Sequence, residues 1–211
     1  MDVPLKKYHV LENAPPTTVV SVDEYNYAGS FTTERIVDAA MMFLLGRVVS
    51  EDIKAYRGLI NEFLKVVTTP AVWFTIRLAK RTDAFEIPRW HRDGKMFRVG
   101  ATEGVPSRCY KIAVTLLGAP TLVLEESARV MEIMKERRFD ERRETLARAF
   151  ERSPRVEIAT GQIFAFTCGE PNSPIHSEPD IKSDRIFMSV VPGTPDQIKE
   201  LANIRSLTYA E

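Results

Sequence analysis

The feature that most constrains this chain is a change of hydrophobic period at Pro70. Before it, Ile36, Val37, Ala40, Met41, Leu44, Leu45 and Val48 recur at helical spacing over 33–49. Ile53, Tyr56, Leu59, Ile60, Phe63 and Leu64 repeat the stripe in the next segment. Ser50 is placed to cap the second helix. After Pro70 the pattern becomes that of strands: 72–78, 109–117, 163–166 and 185–191 are short, rich in β-branched and aromatic residues, and bounded by turn residues. Helices with one apolar stripe followed by strands predict a mainly β fold with the helices packed outside a sheet.

The remaining segments fit around this frame. Residues 1 to about 30 carry Pro4, Pro15 and Pro16 without a sustained period, which predicts an extended arm, a short strand at 17–22 and cover for a sheet edge. Gly118-Ala119-Pro120 reads as a turn that makes 121–124 the hairpin partner of 109–117. A charged helix is expected over 126–150, where Arg137, Arg138, Arg142 and Arg143 are interleaved with Glu132, Glu136, Asp140, Glu141 and Glu144. That mixture describes a solvated face with i,i+4 pairs, and no clear nucleic-acid signal; a substrate-side lid is the further role open to it. Thr194-Pro195-Asp196-Gln197 is a capping box with proline at the first helical position, so a short helix through about Ile204 closes the chain.

At 211 residues and 44% hydrophobic content, one domain is expected. Its parts are an arm and two supporting helices over 1–69, a β core over 70–192 and a helical tail over 193–211. Twenty-nine basic residues balance twenty-nine acidic ones, leaving no overall field to recommend nucleic acid or an anionic membrane. No leader-like apolar run follows the early lysines and no segment is long enough to span a bilayer, so a soluble cytoplasmic protein is expected. Cys109 and Cys168 then read as reduced thiols rather than a disulfide framework.

Two stretches carry chemistry: 87–94, Ile-Pro-Arg-Trp-His-Arg-Asp-Gly, and 175–189, which contains His176, Glu178, Arg185 and Ser189. His91 and Asp93 are two apart, so on an extended strand both leave the same face and can grip one ion. His176 is the third ligand candidate, since the remaining histidine, His9, lies in the arm. Two imidazoles and a carboxylate on one side of an octahedron suit ferrous iron and leave positions open. Trp90 and Arg92 should face away. Glu178 reads as an exposed carboxylate or as support for a ligand.

The order of His91, Asp93, His176 and Arg185 resembles the Fe(II)/2-oxoglutarate-dependent dioxygenase superfamily, over roughly residues 70 to 192. The resemblance implies a double-stranded β-helix, a jelly-roll or cupin-like barrel, with Fe(II) held by His91, Asp93 and His176. Arg185, nine residues after the distal histidine, would bind the far carboxylate of 2-oxoglutarate. The implied reaction couples oxidative decarboxylation of that cosubstrate, with dioxygen, to hydroxylation or demethylation of an unidentified substrate. The second position after the arginine, where several family members carry serine, holds Phe187, and Ser189 is the next hydroxyl on that face. In this fold the strand with Tyr110, Lys111 and Thr115 can line the cosubstrate pocket; Tyr110 is the contact named. Two other readings stay open, a cupin-like metal protein that ignores 2-oxoglutarate and a catalytically silent barrel used for docking.

Overall fold

The computed structural model describes residues 5–82, 87–97, 109–136, 143–169 and 173–211. It is mainly β. A large sheet holds seven strands: β1 (Leu5–Val10), β3 (Asp23–Ser30), β5 (Ala71–Ala79), β6 (Cys109–Leu117), β9 (Gln162–Cys168), β11 (Arg185–Gly193) and β12 (Tyr209–Ala210). Their order is β1-β9-β6-β11-β5-β3-β12. A small sheet holds β10 (His176–Ser177), β7 (Leu122–Leu124) and β8 (Arg155–Val156) in the order β10-β7-β8, extended by a bridge from His91 to His176.

From β5 onward the chain passes back and forth between the two sheets. The antiparallel pairs β5 with β11, His91 with β10, β6 with β9 and β7 with β8 nest one inside the next. This is jelly-roll order, the double-stranded β-helix. It corrects the hairpin expected between 109–117 and 121–124, because β7 pairs with β8 and β10 and lies in the other sheet. The turn is a crossing. Gly118 takes φ +81°, and a Cβ there would stand 2.4 Å from the Asp184 carbonyl oxygen.

Alternation along the strands sorts the core into layers. On β5, Val72, Phe74, Ile76 and Leu78 face helices α1 (Thr33–Leu45) and α2 (Ala55–Leu64), together with Ile112, Val114, Ile186 and Met188. Each such side chain removed from water is worth about 1.5–3 kcal/mol. The other face of the large sheet meets Val123 and Ile158 from the small-sheet side and helix α5 (Pro195–Ile204) in a second cluster. Helix α5 starts with the expected capping box: Thr194 Oγ1 accepts from Gln197 N at 3.3 Å, and Gln197 Oε1 accepts from Thr194 N at 2.9 Å.

Helices α3 (Ala128–Glu136) and α4 (Arg143–Ala149) occupy the charged insertion; Arg137, Arg138, Asp140, Glu141 and Arg142 lie outside the described residues. Val130, Ile133 and Leu146 pack with Phe150, Trp90, Leu124 and Ile175 behind the small sheet. The described part of the insertion therefore buttresses the strands that carry the histidines, and none of it lines the cavity described below.

The N-terminal region departs from expectation in three places, the first being residues 23–30, expected in the arm, which form β3 between β5 and β12 in the large sheet. Helix α1 stops before Gly46, and β4 (Val48–Ser50) pairs with β2 (Thr17–Val19). Ser50 is thus in a strand, and Asp52 Oδ1 instead accepts from the backbone N–H groups of Lys54 and Ala55 at the start of α2. The arm does cover a sheet edge, as β1 on β9.

Candidate metal centre

His91 and His176 stand directly opposite each other across the two sheet strands. His91 N–H donates to the His176 carbonyl at 3.0 Å, and His176 N–H donates to the His91 carbonyl at 2.9 Å. This reciprocal pair brings residues 85 positions apart in the chain to a ring-centroid separation of 4.4 Å. From His91 the alternation sends Trp90 and Arg92 the other way: Trp90 packs edge-on to Phe150, and Arg92 reaches Glu126 and Met131 in the buttress. Asp93 returns to the His91 side.

Both rings are oriented by the same device. Nδ1 of His91 donates to the Arg89 carbonyl at 2.8 Å and Nδ1 of His176 to the Pro174 carbonyl at 3.0 Å, each two residues upstream. A carbonyl only accepts, so in these bonds Nδ1 carries the proton, and in the neutral ring that leaves the lone pair on Nε2. Those two Nε2 atoms lie 3.9 and 3.7 Å from Asp93 Oδ1, and one donor atom from each of the three residues falls within 4.8 Å of the others.

Electrostatics set the protonation states. Burial, with a smaller contribution from His91, pushes His176 down to about 4, so it is neutral at physiological pH. For Asp93, burial works to raise the pKa, but the Lys111 ammonium and the two imidazoles overcome it and hold the carboxyl below its usual range. Lys111 Nζ donates to Asp93 Oδ2 at 2.5 Å, and Asp93 N–H donates to Ser173 Oγ at 3.0 Å. Neutral imidazole nitrogens and an ionised carboxylate are the states a divalent cation requires, and rings tethered through Nδ1 are typical of metal-ligating histidines. The donor set fits a metal ion.

The cluster opens into a cavity of about 610 Å³ that also receives Arg185 and Ser189. Arg185 is 6% exposed; its Nε donates to the Ala119 carbonyl at 2.9 Å, and its Nη2 donates to the hydroxyls of Thr115 and Thr121 at 3.2 Å each. Burial lowers its pKa to about 10, partly offset by the charge of Glu178. Among the described residues no carboxylate comes within ion-pair distance of it, and its Nη1 has no hydrogen-bond partner. Phe187 lies beneath, with its ring centroid 4.8 Å from the guanidinium carbon.

Tyr110 is on the opposite face of β6 from Lys111, 37% exposed and away from the cavity. Glu178 lines the cavity and pairs with Arg89 at 3.0 Å, while its Oε2 is buried without a hydrogen-bond partner. Burial opposes ionisation there, but its own backbone N–H and Arg89 hold the Glu178 carboxyl below its usual range. Thr121 and the contact of Lys111 with Asp93 escaped the sequence reading. Nothing in the local pattern of a threonine beside Pro120 or a lysine in a strand marks either one.

No protein-family model matches this chain, and no curated protein does. Among solved structures, it is similar to a truncated form of the viral collagen prolyl hydroxylase vCPH from Paramecium Bursaria Chlorella virus-1. The identity is 12% and the TM-score 0.30, over 80% of this chain and 88% of that one. A likeness this remote carries no weight for function, which rests on the geometry of the site.

Proposed function

We propose that the chain is an Fe(II)/2-oxoglutarate-dependent oxygenase in which His91, Asp93 and His176 hold the iron and Arg185 anchors the cosubstrate. The observation that carries this reading is a shared cavity: a His/Asp/His cluster with both Nε2 atoms turned toward Asp93, and a buried guanidinium with no carboxylate at ion-pair distance among the described residues. A buried cation without a counter-ion is costly, so the site is built for an anion that arrives from outside. When bound, iron supplies the place where dioxygen and the keto acid meet and the cosubstrate is decarboxylated to succinate. The substrate would be hydroxylated or demethylated.

This chain's residues do the rest. The Nη1 face of Arg185 matches a carboxylate oxygen with a charge-assisted bond. Thr115 and Thr121 accept from Nη2, which leaves their hydroxyl protons to donate to the same anion. Ser189 lies four residues farther along β11, roughly 13 Å at strand rise, so it contacts a different part of the bound assembly. The walls of the cavity, including Phe164 and Phe166, exclude water from the reacting groups. The test is turnover: with Fe(II), ascorbate and 2-oxoglutarate in air the protein forms succinate, uncoupled if no substrate is present. Absence of succinate above an iron-only control refutes the assignment.

A further inference from the structure

Asp93 is the one ligand candidate with two competing donor atoms, and its surroundings treat them differently. Oδ1 faces both imidazoles, at 3.7 Å from His176 Nε2 and 3.9 Å from His91 Nε2. Oδ2 is turned to the large sheet, where Lys111 Nζ reaches it at 2.5 Å and Cys168 Sγ stands at 3.9 Å. Lys111 is opposite Phe166 in the β6–β9 register, its ammonium 5.7 Å from that ring's centroid, and the same ring packs 4.9 Å from His176. The lysine side chain is 17% exposed and makes no other ion pair among the described residues. It is therefore held against a single carboxylate oxygen, two residues past the His91 bridge.

We propose that Lys111 is a positioning residue that occupies the outer oxygen of Asp93 and restricts that carboxylate to one bond with the cation. The proposal rests on the metal-centre reading of His91, Asp93 and His176. A carboxylate bound through one oxygen takes one coordination position, and a chelating one takes two. Three single-atom ligands on an octahedral ion leave three positions, the number needed by a bidentate keto acid and dioxygen together. With Oδ2 free, Asp93 can close over one of them.

Manganese(II) is the probe, because proton relaxation of bulk water counts the waters exchanging on the bound ion. The protein should take up one Mn(II) that keeps three waters, and the ion should be lost in His91→Ala. Lys111→Met should keep the ion with one water fewer and bind 2-oxoglutarate on the order of tenfold more weakly, the cost of displacing a chelating oxygen. Lys111→Arg, which retains a cation at Oδ2, should restore the wild-type count. Circular dichroism checks folding; if the methionine variant does not fold, Lys111→Gln, too short to reach Oδ2 in the same way, carries the same expectation. An unchanged water count in the neutral variant overturns the role of Lys111 and leaves the metal centre standing. No stoichiometric Mn(II) in the wild type, or binding that survives His91→Ala, overturns both.

Discussion

Arg185 spends its Nε–H on the Ala119 carbonyl and its Nη2 on two threonine hydroxyls, which locks the guanidinium plane before any ligand arrives. Replacing it with methionine keeps most of the volume and removes the charge. Arg185→Met should therefore weaken 2-oxoglutarate binding about 100-fold or more, as expected for truncating one partner of a desolvated charge pair, with Mn(II) binding unchanged by calorimetry. A smaller loss, or loss of metal, would place the residue elsewhere in the scheme. His176 offers a pH test. Its pKa drops from the ordinary 6.5 to about 4 on folding, so between those values the unfolded chain binds a proton that the native metal-free protein refuses. Stability is then fully present above about pH 6.5 and is lost as pH falls toward 4, by up to about 3 kcal/mol. The urea midpoint of the metal-free protein should fall more between pH 7 and pH 5 than that of His176→Gln; equal slopes would contradict it. At this scale, period-two alternation made much legible: His91 with Asp93, and Arg185 with Phe187 and Ser189, share faces because strand geometry compels it. Which face of β6 points inward was not legible: Lys111 reaches Asp93 and Thr115 bonds Arg185, while Tyr110 alternates to the other face.

Strand lengths and helical stripes were readable for the same reason, and the misreadings fall where tertiary pairing overrode local pattern. Val48 extends the α1 stripe by spacing, yet it is pulled into β4 because β2 offers backbone partners and Gly46 ends the helix. Gly118-Ala119-Pro120 looks like a hairpin turn, and a sequence window cannot distinguish a turn that returns from one that crosses to a facing sheet. Gly118→Ala tests the crossing. Its φ of +81° and the Asp184 carbonyl at 2.4 Å leave no room for a methyl, so the variant should lose about 1–3 kcal/mol, several degrees in Tm. No change in Tm would mean that the turn relaxes. The buttress behind the small sheet makes a second claim at this level. Trp90→Ala removes a ring that is 2% exposed and packed against Phe150, directly beside the strand carrying His91. It should cost about 3–5 kcal/mol and weaken metal binding together with stability. A lid would instead show wild-type stability with altered substrate selectivity.

For the whole molecule, a jelly roll places its two sheets face to face, and the cavity between them collects groups from both. The small sheet brings His91 and His176 together through reciprocal backbone hydrogen bonds, while the large sheet contributes Lys111, Arg185 and Ser189. The fold class could be read from strand-sized segments after Pro70. The identity of the sheet each strand joins could not, because it depends on pairings between residues as distant as Arg185 and Ala79. The most direct test is optical. Adding Fe(II) and then 2-oxoglutarate to the protein under strict exclusion of oxygen should produce a visible charge-transfer band that titrates to one equivalent of each. The band should be absent in His91→Ala and require far more 2-oxoglutarate in Arg185→Met. A wild-type protein that binds Fe(II) without developing the band would contradict the joint site, since the metal and the keto acid would then not meet.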